Sequence, residues 1–346
     1  MKPYEVAIVG SGPAGLSAAL GLARVHRHVL VCSSQSNRNR FAPAMHNVLS
    51  RDSQAPDEFL NTARQQIASY GTVDFQDSII KSASVVPNAG EMGLERSLFE
   101  LRADSGSSWR AKKLVLATGV LDVFPDIPGY EENWGTNIYN CLFCEGHERA
   151  GTTAGILGFS TPYHLQNFFT ILRFGCKEVH IFLDPKAPPL DKNAEDALRI
   201  AMLRGAKVHV ETIQCLESLG TDQHRGGLRA VLKDSEKSPI DLGFLWHPPN
   251  VKLAAPHLLD DLLLEADTSS SMTLLKCAKP FGETNRTGVF VAGDASTPLA
   301  NIPNAMASGS LVAVGAHFQL LAEEESLARA EMEACRRGLN INAATG

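Results

Sequence analysis

The chain has 346 residues, is 44% hydrophobic and 20% charged, and carries a net charge of −6. That size suggests two domains whose cores need no disulfide framework, and the acidic balance removes the electrostatic case for nucleic acid or an anionic membrane as partner. No apolar run reaches spanning length, and a strand opens at Tyr4 with no room for a targeting segment, so a cytoplasmic location is expected.

Tyr4–Val9 is a short apolar run of the kind that forms a buried parallel strand. Gly10-Ser-Gly12-Pro13-Ala14-Gly15 follows directly, then an amphipathic helix Leu16–Arg24 and a second apolar strand His28–Cys32. In that context a G-x-G-x-x-G is a dinucleotide-binding turn. Gly10 makes the tight turn, Gly12 lets a pyrophosphate reach backbone N–H groups, and Gly15 lets helix and strand pack closely. The acid that usually binds a ribose, about 20 residues on, is missing. The second strand ends Cys32-Ser33-Ser34-Gln35-Ser36, so Ser33 or Gln35 is the expected substitute.

Residues 37–52, with Arg38, Asn39, His46 and Asn47, are polar without helical periodicity and read as a loop over the cofactor. Pro56–Tyr70 is a helix with proline in its first turn and acids behind it. Ser97–Ala103 alternates as in a meander. Lys113–Leu116 is a buried strand running into Ala117-Thr118-Gly119, and Val123–Gly129, with two prolines, is a linker.

Tyr139–Glu148 holds the most distinctive chemistry. Cys141 and Cys144 stand two residues apart, close enough for two sulfurs to meet across one turn. At a helix start, free N–H groups and the dipole would lower a thiol pKa. Glu145 and His147 are candidate proton carriers. A redox dithiol, half of a zinc site and two incidental cysteines are the three readings. A second Cys-x-x-Cys or His-x-x-x-His that would complete a zinc tetrahedron is missing, and no metal is expected. The other five cysteines, Cys32, Cys176, Cys215, Cys277 and Cys335, are scattered and expected as buried small hydrophobes.

A second strand–turn–helix follows: Ala154–Leu157, then Gly158-Phe-Ser160-Thr-Pro-Tyr163, a helix to about Phe174, and the strand Glu178–Leu183. With Gly158 as first glycine, Ser160 and Tyr163 occupy the second and third positions. Both oppose phosphate approach and close packing, although Asp184 could serve a ribose. Beyond lie a helix Ala194–Arg204, strands near Val208–Val210 and Leu228–Leu232, and a second linker Trp246–Pro249, with His247 read as a loop residue. Thr287–Ala292 is a buried strand ending in Gly293-Asp294. Ile302–Ala316, including Asn304 and Ala305, is a small-residue helix able to lie under a flat ring system. Glu323–Arg337 reads as a surface helix and Leu339–Gly346 as a frayed end.

The order Gly10-x-Gly12-x-x-Gly15, Ala117-Thr118-Gly119, Cys-x-x-Cys, Gly293-Asp294 resembles that of the low-molecular-weight thioredoxin reductases over nearly the whole chain. The resemblance implies an α/β, two-domain FAD/NAD(P)-type fold of three-layer ββα architecture. It implies FAD in a domain made of 1–120 and 248–346, a domain inserted at 121–247 carrying the Cys pair, and a homodimer. FAD would then be held by Gly10, Gly12, Pro13, Ala14, Gly15, Ser33, Gln35, Arg38, Asn39, Asn47, Ala117, Thr118, Gly119, Gly293, Asp294, Asn304 and Ala305.

Val120–Gly129, Cys141–Glu148 and the Arg38-Asn39…His46-Asn47 loop look more closely like the fungal dithiol oxidases of gliotoxin-type (epidithiodiketopiperazine) biosynthesis. That resemblance implies electron flow from a small dithiol through the Cys pair to FAD and on to O2, giving H2O2. Cys141 would take the exchange and Cys144 would face the flavin. Glu145 or His147 would be the acid/base, with His46 a further candidate. A reductase fed by NAD(P)H or ferredoxin, and a flavin-stabilised redox sensor, are the alternatives.

Overall fold

The computed structural model describes residues 2–88, 96–222, 226–233, 238–268 and 272–337. The tail Leu339–Gly346 lies outside them. The chain divides into two compact units: residues 1–38, 58–121 and 251–346, and residues 39–57 and 122–250. The sequence boundaries placed 39–57 in the first domain. Here that loop groups with the second, because Phe41 packs against Gly135 and the core around Trp134, while His46 meets two carboxylates of the Cys segment.

In the first unit, β1 (Tyr4–Val9), α1 (Pro13–Arg24), β2 (Val29–Ser33), α2 (Pro56–Ala68), β3 (Val73–Asp77), β4 (Ile80–Asn88), β5 (Arg96–Ala103) and β6 (Ser108–Leu116) follow in chain order. Among the described residues the main sheet runs β3-β2-β1-β6-β5-β4, with Val289–Val291 also paired to β6. The strands β3, β2, β1, β6 and Val289–Val291 are parallel, whereas β4 and β5 add an antiparallel meander. Both faces of the sheet are covered, and β2 is buried at every residue. That is why it reads as an unbroken Val-Leu-Val-Cys run rather than an alternation. This is the α/β three-layer architecture the motif order implied.

Ile302–Ala316 and Glu323–Arg337, expected as two helices, form one helix, Ile302–Arg336. Its interior lacks a proline, and its acidic run is held down by buried cations. Glu324 pairs with Arg27, which also meets Glu5 at 2.7 Å, and Glu323 pairs with Lys113. By length and composition this helix is apolar enough to cross a membrane, with an 18-residue window of mean hydropathy 1.4, where the sequence reading found no such run. Its small residues account for the value by packing on α1. A Cβ on Gly309 would lie 2.0 Å from the Ala14 carbonyl oxygen, and one on Gly21 would lie 2.8 Å from Ala313.

In the second unit, β7 (Ile138–Tyr139), α3 (Leu142–Glu145), β8 (Ala154–Leu157), α4 (Pro162–Arg173), β9 (Val179–Phe182), α5 (Lys192–Leu203), β10 (Lys207–His209), β11 (Ile213–Gly220), β12 (Gly227–Leu232), β13 (Ile240–Leu242) and β14 (Phe244–Trp246) follow. A parallel sheet runs β10-β9-β8-β14-β7, with an antiparallel sheet β11-β12-β13 beside it. Trp246, assigned to a linker, ends a fully buried strand, and its indole N–H donates to the Asn140 carbonyl at 2.9 Å. Of the scattered cysteines, Cys32 and Cys176 are buried as expected, but Cys335 is exposed at the end of the long helix.

Candidate active site

The turn between β1 and α1 has the shape a pyrophosphate needs. Gly10 sits at φ 111°, where only glycine is unstrained, and a Cβ there would come within 2.2 Å of the Ala117 carbonyl oxygen. A Cβ on Gly15 would come within 1.9 Å of the Gly10 oxygen. Gly12 differs. The nearest atom its Cβ would meet is Asn37 Oδ1 at 3.5 Å, so the protein leaves that side of the turn open. Gly12 caps α1 without a side-chain hydrogen bond, and Pro13 begins the helix. The first-turn amides are therefore left for an anion. These residues fit the diphosphate of FAD.

Around this turn the structure gathers most of the residues expected to hold FAD. Ala117 is buried, Thr118 and Gly119 are half-buried after β6, and Gly119 has φ 68°. Arg38 Nη1 donates to Asp294 Oδ2 at 2.9 Å. Gly293 N–H donates to Ser308 Oγ at 2.8 Å, and its own Cβ would lie 2.9 Å from that of Ala14. Ala305 is buried, but Asn304 is exposed and spends its nitrogens on capping: N–H to Asn301 Oδ1 at 2.8 Å and Nδ2 to the Leu299 carbonyl at 3.0 Å. Ser33 shares a short hydrogen bond with Ser11 and accepts from Gln35 N–H at 3.0 Å. Gln35 in turn touches Asp77, and that hydrogen bond holds the Asp77 carboxyl below its ordinary range, with Arg64 assisting. The end of β2 carries no acid, but Asp77 lies opposite Ser33 at the end of β3. Asn39 and Asn47 belong to the loop that groups with the second unit. There Asn47 takes φ 60° and its N–H donates to Asp52 Oδ1 at 2.7 Å.

In the second unit, Cys141 and Cys144 are joined as a disulfide with Cα atoms 5.2 Å apart, and both are half-buried. Cys141 caps α3, a single turn of four residues, so the helix field expected to tune a thiol is only that of one turn. Between the cysteines Leu142 is buried and Phe143 is 80% exposed.

His147, a candidate acid/base, opens the next turn and is exposed. His46 takes the position beside the Cys segment instead. Its Nδ1 lies 3.6 Å from Glu145 Oε2 and its Nε2 lies 3.4 Å from Glu148 Oε1, ion-pair rather than hydrogen-bond distances. All three side chains are largely buried, at 7%, 16% and 14% exposure. The Glu145 carboxylate raises the His46 pKa, with Glu148 and Asp52 adding to it against the cost of burial. Burial raises the Glu145 carboxyl, and His46 pulls it partly back. Glu148 was visible in the Cys segment yet had no assigned role. Four residues beyond Cys144, nothing in the sequence marked it as facing a histidine from another loop.

The second dinucleotide-like turn is built differently. His164, at the start of α4, turns its ring back: Nδ1 accepts from Thr161 N–H at 3.3 Å and lies 3.0 Å from Thr161 Oγ1. Pro162 contributes no N–H. His247 borders the turn, with Nε2 3.7 Å from where a Gly158 Cβ would stand, and its Nδ1 is 2.7 Å from the Tyr130 hydroxyl. Burial, helped by the nearby His164, pushes the His247 pKa down to about 4, so the ring is neutral at pH 7. Ser160 and Tyr163 are exposed, and Asp184 Oδ1 accepts from Lys186 N–H at 2.9 Å. This turn is thus capped by its own side chains, whereas that of α1 has no side-chain cap.

A dinucleotide turn in one unit and a redox disulfide in the other define a flavin-dependent disulfide oxidoreductase. Residues 4–309 match the pyridine nucleotide-disulphide oxidoreductase family, and the chain belongs to it. It is 33% identical to "Thioredoxin reductase tcpT" of Claviceps purpurea, over 92% of this chain and 95% of that one. It is 30% identical to "Thioredoxin reductase sirT" of Leptosphaeria maculans, over 92% and 94%. Among solved structures, that of HlmI superposes with a TM-score of 0.80 at 27% identity, covering 97% of each chain. An oxidoreductase from Agrobacterium tumefaciens gives 0.78 at 27%, covering 92% of this chain and 99% of that one. Family and turn together make FAD the cofactor of the first unit.

Proposed function

We propose that the protein is an FAD-dependent dithiol oxidase that closes an intramolecular disulfide in a small secondary metabolite of the epidithiodiketopiperazine type, with O2 as the final acceptor. The observation that carries this reading is the second dinucleotide turn. With His164 folded onto Thr161 and neutral His247 against Gly158, nicotinamide has no evident entry. Electrons then enter as thiols at the Cys pair, in keeping with the resemblance to fungal dithiol oxidases.

One substrate thiol loses its proton and attacks Cys141 Sγ; the S–S bond breaks and Cys144 leaves as thiolate. The second substrate thiol loses its proton and attacks the first substrate sulfur, releasing Cys141 and the product disulfide. Two electrons now rest on the enzyme sulfurs and two protons have left the substrate. Glu145, next to Cys144 and raised in pKa by burial, is suited to receive one of them, with His46 behind it. FAD, when bound, supplies the two-electron sink that returns the pair to its disulfide and is itself emptied by O2, yielding H2O2. Exposed Leu311, Val314, Phe318 and Leu321 repeat at helical spacing along Ile302–Arg336 and supply an apolar face for the homodimer that the resemblance implies.

The test is anaerobic. The yellow protein is mixed separately with NADPH, NADH and dithiothreitol while flavin absorbance is followed. Bleaching by the dithiol alone, reversed by air with H2O2 release, is expected. Rapid bleaching by either nicotinamide would sink the oxidase in favour of a reductase.

A further inference from the structure

Two carboxylates face His46, and the dithiol exchange uses only one of them. Glu145 follows Cys144 directly and meets Nδ1; Glu148 meets Nε2 from the opposite side of the ring. Among the described residues Asp52 also raises His46, and its Oδ1 accepts from the Asn47 N–H. His46 Nδ1, Glu148 Oε2, Tyr139 Oη and Arg149 Nη1 are all buried without a hydrogen-bond partner.

The arrangement raises a question of charge balance. An imidazolium between two carboxylates carries a net charge of −1 in a buried site. When a substrate thiol gives its proton to Glu145, that carboxylate becomes neutral. If Glu145 were the only partner, His46 would be left as an unpaired buried cation and would shed its proton. A second carboxylate on the other ring nitrogen keeps the imidazolium paired throughout.

We propose that Glu148 is a positioning residue of the dithiol chemistry: it holds His46 charged and fixed from behind, so that Glu145 can take and return a proton at the sulfurs without the pair discharging. The inference rests on the oxidase reading for the chemistry it serves, but not for the contact itself. Of the two protons that the substrate thiols lose, one passes to Glu145 and the other to solvent. His46 and Glu148 keep their protonation states, and the electrons stay on sulfur. The chain thereby obtains a carboxyl beside Cys144, raised by burial, that can take a proton without leaving His46 unpaired.

Two readouts on the FAD-loaded protein test this. The first is the titration of the His46 ring by NMR of histidine-labelled protein in its oxidised state, with the resonance assigned through His46→Gln. Glu148→Gln is expected to lower the His46 midpoint by about one pH unit, and Glu148→Asp by less. The second is the pH profile of anaerobic flavin bleaching by dithiothreitol. E148Q is expected to slow bleaching about tenfold at pH 8 and to displace the profile, with E148D restoring most of the rate. A His46 midpoint within about 0.3 unit of wild type in E148Q overturns the proposal, as does an unchanged bleaching profile. Should E148Q not fold, E148D carries the same test in milder form, and a wild-type midpoint and profile in E148D overturn it. If NADPH rather than the dithiol bleaches the flavin, the oxidase reading fails. The His46 titration, made on oxidised protein without turnover, still decides whether Glu148 sets the charge of the ring.

Discussion

The chain contains the same local plan twice, strand, tight turn and helix, and uses the two copies for opposite ends. In the first, Gly10 and Gly15 are so tightly enclosed that no side chain could be added, while Gly12 faces open space and leaves the first amides of α1 uncapped. In the second, Gly158 keeps the positive φ of 76° that makes the turn, but Ser160 and Tyr163 replace the second and third glycines and the ring of His164 returns to cap the helix start. The fold of a dinucleotide unit therefore survives on the strand pairing and on the core around Phe168, Ile171 and Trp246. The nucleotide chemistry depends on two or three positions at one helix start. Fold and cofactor use are separable at that turn.

The comparison is broken most forcefully at Gly12. Gly12→Val adds a side chain to the only fingerprint glycine whose Cβ is sterically free, so the first unit should still fold. The valine would occupy the pyrophosphate side, and FAD affinity should fall at least about 100-fold, the scale of losing several phosphate contacts to backbone amides. Purified G12V would be colourless with the secondary structure of the apoprotein. Normal yellow colour would mean that the cofactor does not lie on this turn. In contrast, Ser160→Gly combined with Tyr163→Gly should not create a response to NADPH, because His164 and His247 remain.

The two units should also separate under acid. In the second unit burial holds His164, His180 and His247 neutral, with folded pKa values below the ordinary one. A depressed histidine contributes stability that is fully present above its unfolded value, about 6.5, and is lost as pH falls toward its folded value. For His247 that window runs from 6.5 down to about 4, and the loss amounts to about 3 kcal/mol. In the first unit one histidine, His317, is lowered, against three in the second, and the other depressed groups are the carboxylates Asp77, Glu100 and Glu324, the last lowered chiefly by its hydrogen bond from Arg27. The contribution of such a carboxylate is present above its unfolded value and is lost only below it. On acidification the second unit should therefore loosen first. Trp134 and Trp246, both buried there, should red-shift in fluorescence between pH 6.5 and 4.5, before flavin is released. Flavin release preceding the tryptophan change would reverse the assignment.

How much of this could be read beforehand follows from where the information lies. The glycine spacing, the buried strands and the Cys pair are local, and each appeared in the sequence with its chemistry attached. Ser160 and Tyr163 already announced that the second turn was altered. Interactions spanning long sequence separations were not visible. His46 reaches Glu145 and Glu148 across about a hundred residues, and no periodicity marks such a contact. His147, adjacent to the Cys pair in sequence, looked the better base but points to solvent because the turn Gly146–Arg149 buries Arg149 instead. The fusion of Ile302–Ala316 with Glu323–Arg337 was hidden for the same reason. The acids that suggested a separate surface helix are paired with Arg27, just before β2, and Lys113, on β6, each more than two hundred positions earlier.

The smallest effect, and the finest test of the closed turn, lies behind it at Tyr130. Its phenol is buried, its pKa is raised chiefly by that burial, and its hydroxyl is 2.7 Å from His247 Nδ1. With the ring neutral, the hydroxyl donates and Nδ1 accepts, which leaves the proton on Nε2, the nitrogen that faces Gly158. The hydrogen bond therefore fixes both the angle of the ring and its tautomer. Tyr130→Phe keeps the stacking on Trp134, 5.9 Å between ring centroids, and removes only the hydroxyl. A buried acceptor left unpaired costs about 1–2 kcal/mol, so the urea midpoint should fall at pH 7.5 with the slope unchanged. A loss under about 0.3 kcal/mol would show that the hydrogen bond does not hold the ring. A flavin that becomes reducible by NADPH in the same variant would show that the ring, and not the altered glycines, keeps the turn closed.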